Sequence, residues 1–146
     1  MSSISSPTKP TVFYGVEPTL DAESFRRVLD ESGLGRIRPT GDLLRLQAML
    51  SAADLIVTAR LAVAGGPLVG VARCLTDHAW CCYLSDLAVV SVAQGQRIGQ
   101  GLLDEVRRHL GPQVALILLS VPEAAAFYQR AGMERIADAF WYPRER

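Results

Sequence analysis

The chain has 146 residues, 49% of them hydrophobic, and its 15 Lys and Arg balance 15 Asp and Glu for a formal net charge of +0. That size and apolar content suit one domain with a substantial core and exclude a disordered chain. The balanced charge supplies no global field to draw in nucleic acid or an anionic membrane, and no apolar run is long enough to span a bilayer.

The opening MSSISSPTKP is small and polar and lacks the apolar core of a signal peptide. It reads as a flexible tail over residues 1–10, with one domain over residues 11–146. Thr11 to Val16 is rich in β-branched and aromatic residues and stops before Pro18, as a first strand would. Asp21 to Ser32 reads as a helix, with Asp21 as N-cap and Phe25, Val28 and Leu29 as its apolar stripe. Gly33 and Gly35 end it, and the loop that follows carries Arg36 and Arg38. Leu43 to Ala53 is a second helix, with Leu43, Leu46 and Leu50 on or beside one face.

Three strands with short links follow: Asp54 to Ala64, Leu68 to Thr76 and Trp80 to Val90. The Gly65-Gly66-Pro67 connection predicts an antiparallel hairpin, and the three strands read as a meander. Cys74, Cys81 and Cys82 match no zinc spacing and read as buried free thiols of a reduced, cytoplasmic protein. Ile98, Leu102, Val106 and Leu110 then recur every four residues, which marks one face of a helix ended by Gly111 and Pro112. Val114 to Leu119 is a continuous apolar run, as in a strand covered on both faces. Ser120 and Glu123 have capping-box spacing for a last helix to Ala131, with Gly132 as its C-terminal cap. Met133 to Ala137 and Ala139 to Tyr142 read as closing strands. This order of elements predicts an α/β fold with a strand–helix–strand crossover in a mixed sheet.

The most informative stretch runs from Tyr83 to Leu103 (YLSDLAVVSVAQGQRIGQGLL). A strand leads through a turn holding Gly95, Gly99 and Gly101 into a helix. The first N–H groups of a helix have no internal partner, and glycine lets an anion approach them. The N–H groups from Gly95 to Gln100 are therefore an expected anion site. A dinucleotide-binding domain would place such a turn after the first strand of a parallel sheet, whereas here it follows a meander.

Two motifs resemble the GCN5-related N-acetyltransferases (GNAT). Leu87-Ala88-Val89 followed by Gln94-Gly95-Gln96-Arg97-Ile98-Gly99 is similar to the family's strand and its Gln/Arg-x-x-Gly-x-Gly/Ala loop. Arg97 stands where the first glycine of that pattern falls. Ala124 to Met133, with Phe127, Tyr128, Arg130 and Gly132, resembles the family's A-x-x-F-Y-x-K-x-G-F signature. Val121 stands near where many members carry an asparagine, a residue this chain lacks entirely.

The resemblance implies a single-domain α/β fold: a mixed, mostly antiparallel sheet, a central splayed pair of parallel strands, and helices on both faces. It implies acetyl-CoA as cosubstrate, no metal, and a small-molecule or peptide amine as acceptor. Leu87, Ala88 and Val89 would meet pantetheine through their backbone. Gln94, Gly95, Gln96, Arg97, Ile98, Gly99 and Gln100 would meet the pyrophosphate, and Phe127, Tyr128 and Arg130 would also face the coenzyme. Tyr128 would protonate the departing thiolate, since a phenol near ~10 can serve a thiol near ~8.5 in a dry site. Asp86 is a candidate general base, and Glu17 is another; the alternative for each is a structural role, paired with Arg73 on the neighbouring strand. Arg36 and Arg38 fall in a loop that helps form the family's acceptor site, where they would bind an acidic acceptor or be solvated, and Trp80, Trp141 and Tyr142 would line an aromatic pocket or pack in the core. His78 and His109 read as a turn residue and a solvent-facing helix residue. Homodimers are common in the family, and the apolar C-terminal strand offers an edge for one. The competing reading is a non-catalytic acyl-CoA-binding or protein-interaction module that keeps the fold.

Overall fold

Five strands hydrogen-bond side by side in chain order: β1 (Val12–Val16), β2 (Leu55–Leu61), β3 (Leu68–Thr76), β4 (Cys81–Val89) and β5 (Ala115–Ile117). The structure is a computed structural model that describes residues 11–146; the flexible tail expected for residues 1–10 lies outside them. Neighbours β1 to β4 are antiparallel, and β5 is parallel to β4. The predicted hairpin closes as expected, with Gly65 at φ +79° in the link between β2 and β3.

Helices cover both faces. Helix α1 (Ala22–Ser32) starts at Asp21, whose Oδ2 accepts the Ser24 N–H at 2.9 Å. Gly33 ends it at φ +91°, in the left-handed region that favours glycine. Its stripe of Phe25, Val28 and Leu29 is fully buried, a gain of roughly 1.5–3 kcal/mol for each large side chain. Helix α2 (Leu43–Ala52) is capped by Asp42 and buries Leu46 and Leu50. Helix α3 (Ile98–Leu110) buries the whole predicted stripe of Ile98, Leu102, Val106 and Leu110.

Strand β3 shows how the layers are arranged. Gly70 lies beneath α3, where a Cβ atom would come within 2.9 Å of Leu102 Cδ1. Arg73, three residues on, must point to the other face. There its Nη1 donates to the Met49 carbonyl of α2 at 3.4 Å. A strand covered on both sides is buried from Leu68 to Cys74, as found.

The end of the chain departs from expectation. Met133–Ala137 and Ala139–Tyr142 form no strands. Nothing among the described residues therefore pairs with the outer edge of β5, and the parallel pair stands at the edge of the sheet and not at its centre. The apolar run of residues 114–119 gives a strand of three residues, with Ile117 and Leu119 exposed instead of covered on both faces. Trp80, Trp141 and Tyr142 are 77%, 68% and 101% exposed, so they line no aromatic pocket.

The predicted capping box also fails. The Ser120 hydroxyl donates to the Val121 carbonyl at 2.7 Å. A proline pushes the residue before it into extended backbone, and Val121 sits at φ −67°, ψ 151°. A 3-10 turn over Pro122–Ala124 intervenes, and helix α4 begins only at Ala125, ending at Arg130. Gly132 at φ +89° follows as predicted. Among the cysteines, Cys74 and Cys82 are buried and free, while Cys81 is exposed. Strand alternation explains the split, because neighbours 81 and 82 point to opposite faces.

Glu17 closes the far side of the sheet. Its carboxylate accepts the Arg60 Nε and Nη2 protons, both at 2.8 Å, and the Thr58 hydroxyl. Arg60 Nη1 donates to the Gly66 carbonyl at 2.8 Å, so the group ties β1 and β2 to the hairpin turn. The Arg60 hydrogen bonds hold the Glu17 carboxyl below its ordinary range. A depressed carboxyl stabilises the fold above its unfolded pKa, and that contribution fades as pH falls through the folded value. Glu17→Gln should therefore lower stability by up to about 1 kcal/mol near neutral pH, the pair being partly screened by solvent. Thermal melts of both proteins should converge as the pH drops below the ordinary carboxylate range.

Candidate active site

One side of β4 is open. It meets β5 only from Cys81 to Tyr83, opposite Ala115 to Ile117. On the other side it pairs with β3 as far as Val89, and Val90 N–H continues the ladder to the Val69 carbonyl at 2.9 Å. In an antiparallel ladder, alternate residues turn their N–H and C=O away from the partner. Leu87 and Val89 are those residues here. The register shifts once, between Arg73 and Cys74, and Ser85 is the extra residue of the resulting bulge. Bulges bend a strand and increase its twist, which suits a strand that parts from β5 just before this point.

Side chains occupy two of the outward carbonyls. Arg38 Nη2 donates to the Ser85 carbonyl at 2.8 Å, and Gln94 Nε2 donates to that of Val89 at 2.9 Å. Between them, the Leu87 N–H and C=O have no partner among the described residues. An exposed strand edge of this kind accepts an extended amide-bearing ligand as an added strand.

Beyond β4 the chain turns through Ser91–Ala93 and reaches α3. Gly95 takes φ +85°, and Arg97, the residue before the helix, takes φ 63°, ψ 21°. Arg97 thus holds the left-handed conformation a glycine would adopt there. Gly99 does not: it is helical, and its missing side chain serves packing. A Cβ on Gly99 would lie 3.0 Å from Phe127 Cζ, so the glycine seats α4 on the first turn of α3. Gly101 likewise seats the Tyr14 ring of β1 and does not face the turn. No N–H from Gly95 to Gln100 has a hydrogen-bond partner among the described residues. The first backbone bond into the helix is Gly101 N–H to the Arg97 carbonyl at 3.0 Å. Free donors and the positive end of the helix dipole coincide here.

These pieces enclose a cleft of about 610 Å³. It is lined by Leu87 and Val89 from β4, by Gln94, Gly95, Arg97, Ile98, Gly99 and Gln100 from the loop and α3, and by Phe127, Tyr128 and Arg130 from α4. Two of the residues named from sequence for the coenzyme lie outside the lining: Ala88, which is 2% exposed and packs in the core, and Gln96. The Phe127 and Tyr128 rings meet edge to face at 5.0 Å. Burial pushes the Tyr128 phenol above its ordinary value, against an opposing pull from the Arg38 charge.

The candidate bases are differently placed. The Asp86 side chain is 0% exposed and is ion-paired to Arg38 through one oxygen and to Arg73 through the other. It does not line the cleft, so a role as general base is not what its position supports. The Arg73 partner across the ladder is the structural alternative expected from sequence, whereas Arg38 is not legible there, because it arrives from 48 residues away. Glu17 is committed to Arg60 and Thr58. Arg36 is exposed, and Arg38 is turned inward as a brace for β4. His109 lies on α3 beside Glu105, and His78 sits in the β3–β4 turn at φ 56°.

The left-handed backbone at Arg97 costs a side-chain-bearing residue about 1–2 kcal/mol. Arg97→Gly should keep the loop and remain at least as stable as the parent. Arg97→Val, with a branched Cβ, should be less stable than Arg97→Gly by at least about 1 kcal/mol in urea unfolding. Equal stability would show that the loop does not hold this conformation.

Known proteins share both the sequence and the fold. The family profile described as "Acetyltransferase (GNAT) domain" matches residues 46–141. The chain is 35% identical over 83 residues to GCN5-related N-acetyltransferase 2, chloroplastic, of Arabidopsis thaliana, covering 53% of this chain and 32% of that protein. It spans about a third of the length of the curated relatives it matches. The GNAT-family acetyltransferase SP0256 of Streptococcus pneumoniae TIGR4 superposes with a TM-score of 0.67 at 22% identity, over 92% of this chain and 100% of that one. AAC(6')-Iy, solved with the bisubstrate analogue CoA-S-monomethyl-acetylneamine, superposes with a TM-score of 0.65 at 16% identity, over 92% and 99%. With the family profile covering most of the chain, the protein belongs to the GNAT acetyltransferase family, and its fold is like that of these solved structures.

Proposed function

We propose that the chain transfers an acetyl group from acetyl-CoA to a primary amine by direct attack in a ternary complex. The observation that carries this reading is the meeting, in one cleft, of an unpaired strand edge at Leu87, unpartnered N–H groups from Gly95 to Gln100, and the Tyr128 phenol. Each suits one part of acetyl-CoA. The Leu87 edge can bond pantetheine amides, and the helix start can take the pyrophosphate. Arg97 and Arg130 line the same cleft and add charge-assisted donors for phosphate. The bisubstrate analogue bound by AAC(6')-Iy joins CoA to an acetylated amine compound, which fits this reading.

The coenzyme supplies an activated thioester; the protein positions it and manages charge. The Leu87 N–H is the donor for the carbonyl oxygen, where negative charge grows during attack. The Tyr128 phenol, with its pKa raised by burial, is protonated at neutral pH and holds the proton for the departing sulfur. Asp86 and Glu17 are both held by arginines, so the proton of the attacking ammonium leaves through water. The acceptor is a small-molecule or peptide amine. The three free thiols fit a reducing, cytoplasmic setting.

Calorimetric titration with acetyl-CoA tests the first part, and a panel of amines with detection of released CoA thiol tests the second. Saturable binding with release for at least one amine is the expected result. No binding at millimolar acetyl-CoA would refute the proposal, and binding without release across a broad panel would favour the non-catalytic module. Tyr128→Phe should cut turnover on a productive amine by about a hundredfold, within the range for a lost general acid. Its acetyl-CoA affinity should stay close to that of the parent.

A further inference from the structure

Beneath the bulge of β4 lies a cluster with two guanidinium groups and one carboxylate. The side chains of Asp86, Arg73 and Arg38 are 0%, 7% and 21% exposed. Arg73 faces Asp86 directly across the β3–β4 ladder and also donates to the Ser85 hydroxyl at 2.9 Å. That pair alone would be balanced. Burying a further cation costs several kcal/mol in desolvation unless other groups repay it. Arg38 is that further cation, and its bonds are specific. Its Nε takes the second Asp86 oxygen, its Nη2 the Ser85 carbonyl at 2.8 Å, and its Nη1 the Ile37 carbonyl at 3.0 Å. It thus joins the loop before α2 to the two residues that precede Leu87. The same charge acts on Tyr128, where it favours the phenolate against burial.

We infer that Arg38 is a positioning residue for acetyl transfer: it locks the Ser85–Asp86 corner so that the Leu87 N–H faces the thioester carbonyl, and it brings an excess positive charge to where negative charge develops. The inference rests on the acetyl-CoA reading above. It also gives Asp86 a task, which is to anchor Arg38. A stabilising cation acts most strongly where water is excluded, and in this cluster Asp86 and Arg73 are buried and Arg38 is largely so.

The test uses the full chain with acetyl-CoA labelled with 13C at its carbonyl, followed by isotope-edited infrared difference spectroscopy. In the parent, the bound carbonyl stretch should lie below that of free acetyl-CoA in water. Arg38→Gln, which leaves Asp86 balanced by Arg73, should move it back toward the free value. Arg38→Lys, which keeps the charge, should recover part of the shift. Acetyl-CoA affinity should change by no more than about threefold, while turnover of Arg38→Gln on a productive amine falls about tenfold or more. A merely structural arginine would lower the melting temperature and leave the stretch unchanged, and that result overturns the inference. So does a parent stretch equal to that of free acetyl-CoA, a measurement that needs no variant to fold. So does a lysine variant that recovers nothing. Failure of the parent to bind acetyl-CoA would instead refute the coenzyme reading itself.

Discussion

Among the described residues, the fourth strand beyond Tyr83 has a partner on one side only, and the candidate site is built around that open edge. Backbone N–H and C=O groups are obligatory hydrogen-bonding groups, so an open edge must find partners in side chains, water or a ligand. Here Arg38 and Gln94 each take one carbonyl, and the stretch between them is left for something else. The bulge at Ser85 turns the strand where this opening begins. Fold and site share one cause: β5 is short and diverges, and the crossover helix between the two strands starts at the mouth of the gap.

Close packing holds the mouth in shape. Three glycines let neighbours approach where a Cβ would intrude: Gly70 under Leu102, Gly99 under Phe127 and Gly101 beside Tyr14. The first presses α3 onto the sheet, the second presses α4 onto α3, and the third ties β1 to α3. The two motifs legible in the sequence are therefore parts of one contact. Gly99 of the first receives Phe127 of the second, which places the adjacent Tyr128 at the cleft. Rigid support of this kind is what the proton donor proposed at Tyr128 would require.

Much of this was legible in the residue pattern. The period-four stripe from Ile98 to Leu110 and the Gly-Gly-Pro hairpin both reported local structure directly, because their signals are local. The cleft lining overlaps closely with the residues singled out in the two motifs. What stayed hidden was non-local or carried by a competing signal. Arg38 reads as an acceptor-binding or solvated loop residue until the fold brings Asp86 beside it. Gly99 and Gly101 read as ligand-facing, yet their neighbours are aromatic rings from distant elements. The capping-box spacing at Ser120 was defeated by Pro122, whose effect on Val121 outweighs a side-chain cap. The apolar segments after Gly132 have strand-like composition but no paired edge, and composition alone does not form a strand.

The central claim is that the open β4 edge and the start of α3 together hold an acyl-CoA. Amide hydrogen exchange with and without acetyl-CoA tests it most directly, because the atoms in question are backbone N–H groups. Slower exchange is predicted at Leu87 and from Gly95 to Gln100. The groove along the far half of α3, at Arg107, Gly111 and Val114, should be unchanged. Protection confined to that groove, or none at Leu87 and the loop under saturating acetyl-CoA, would contradict the account.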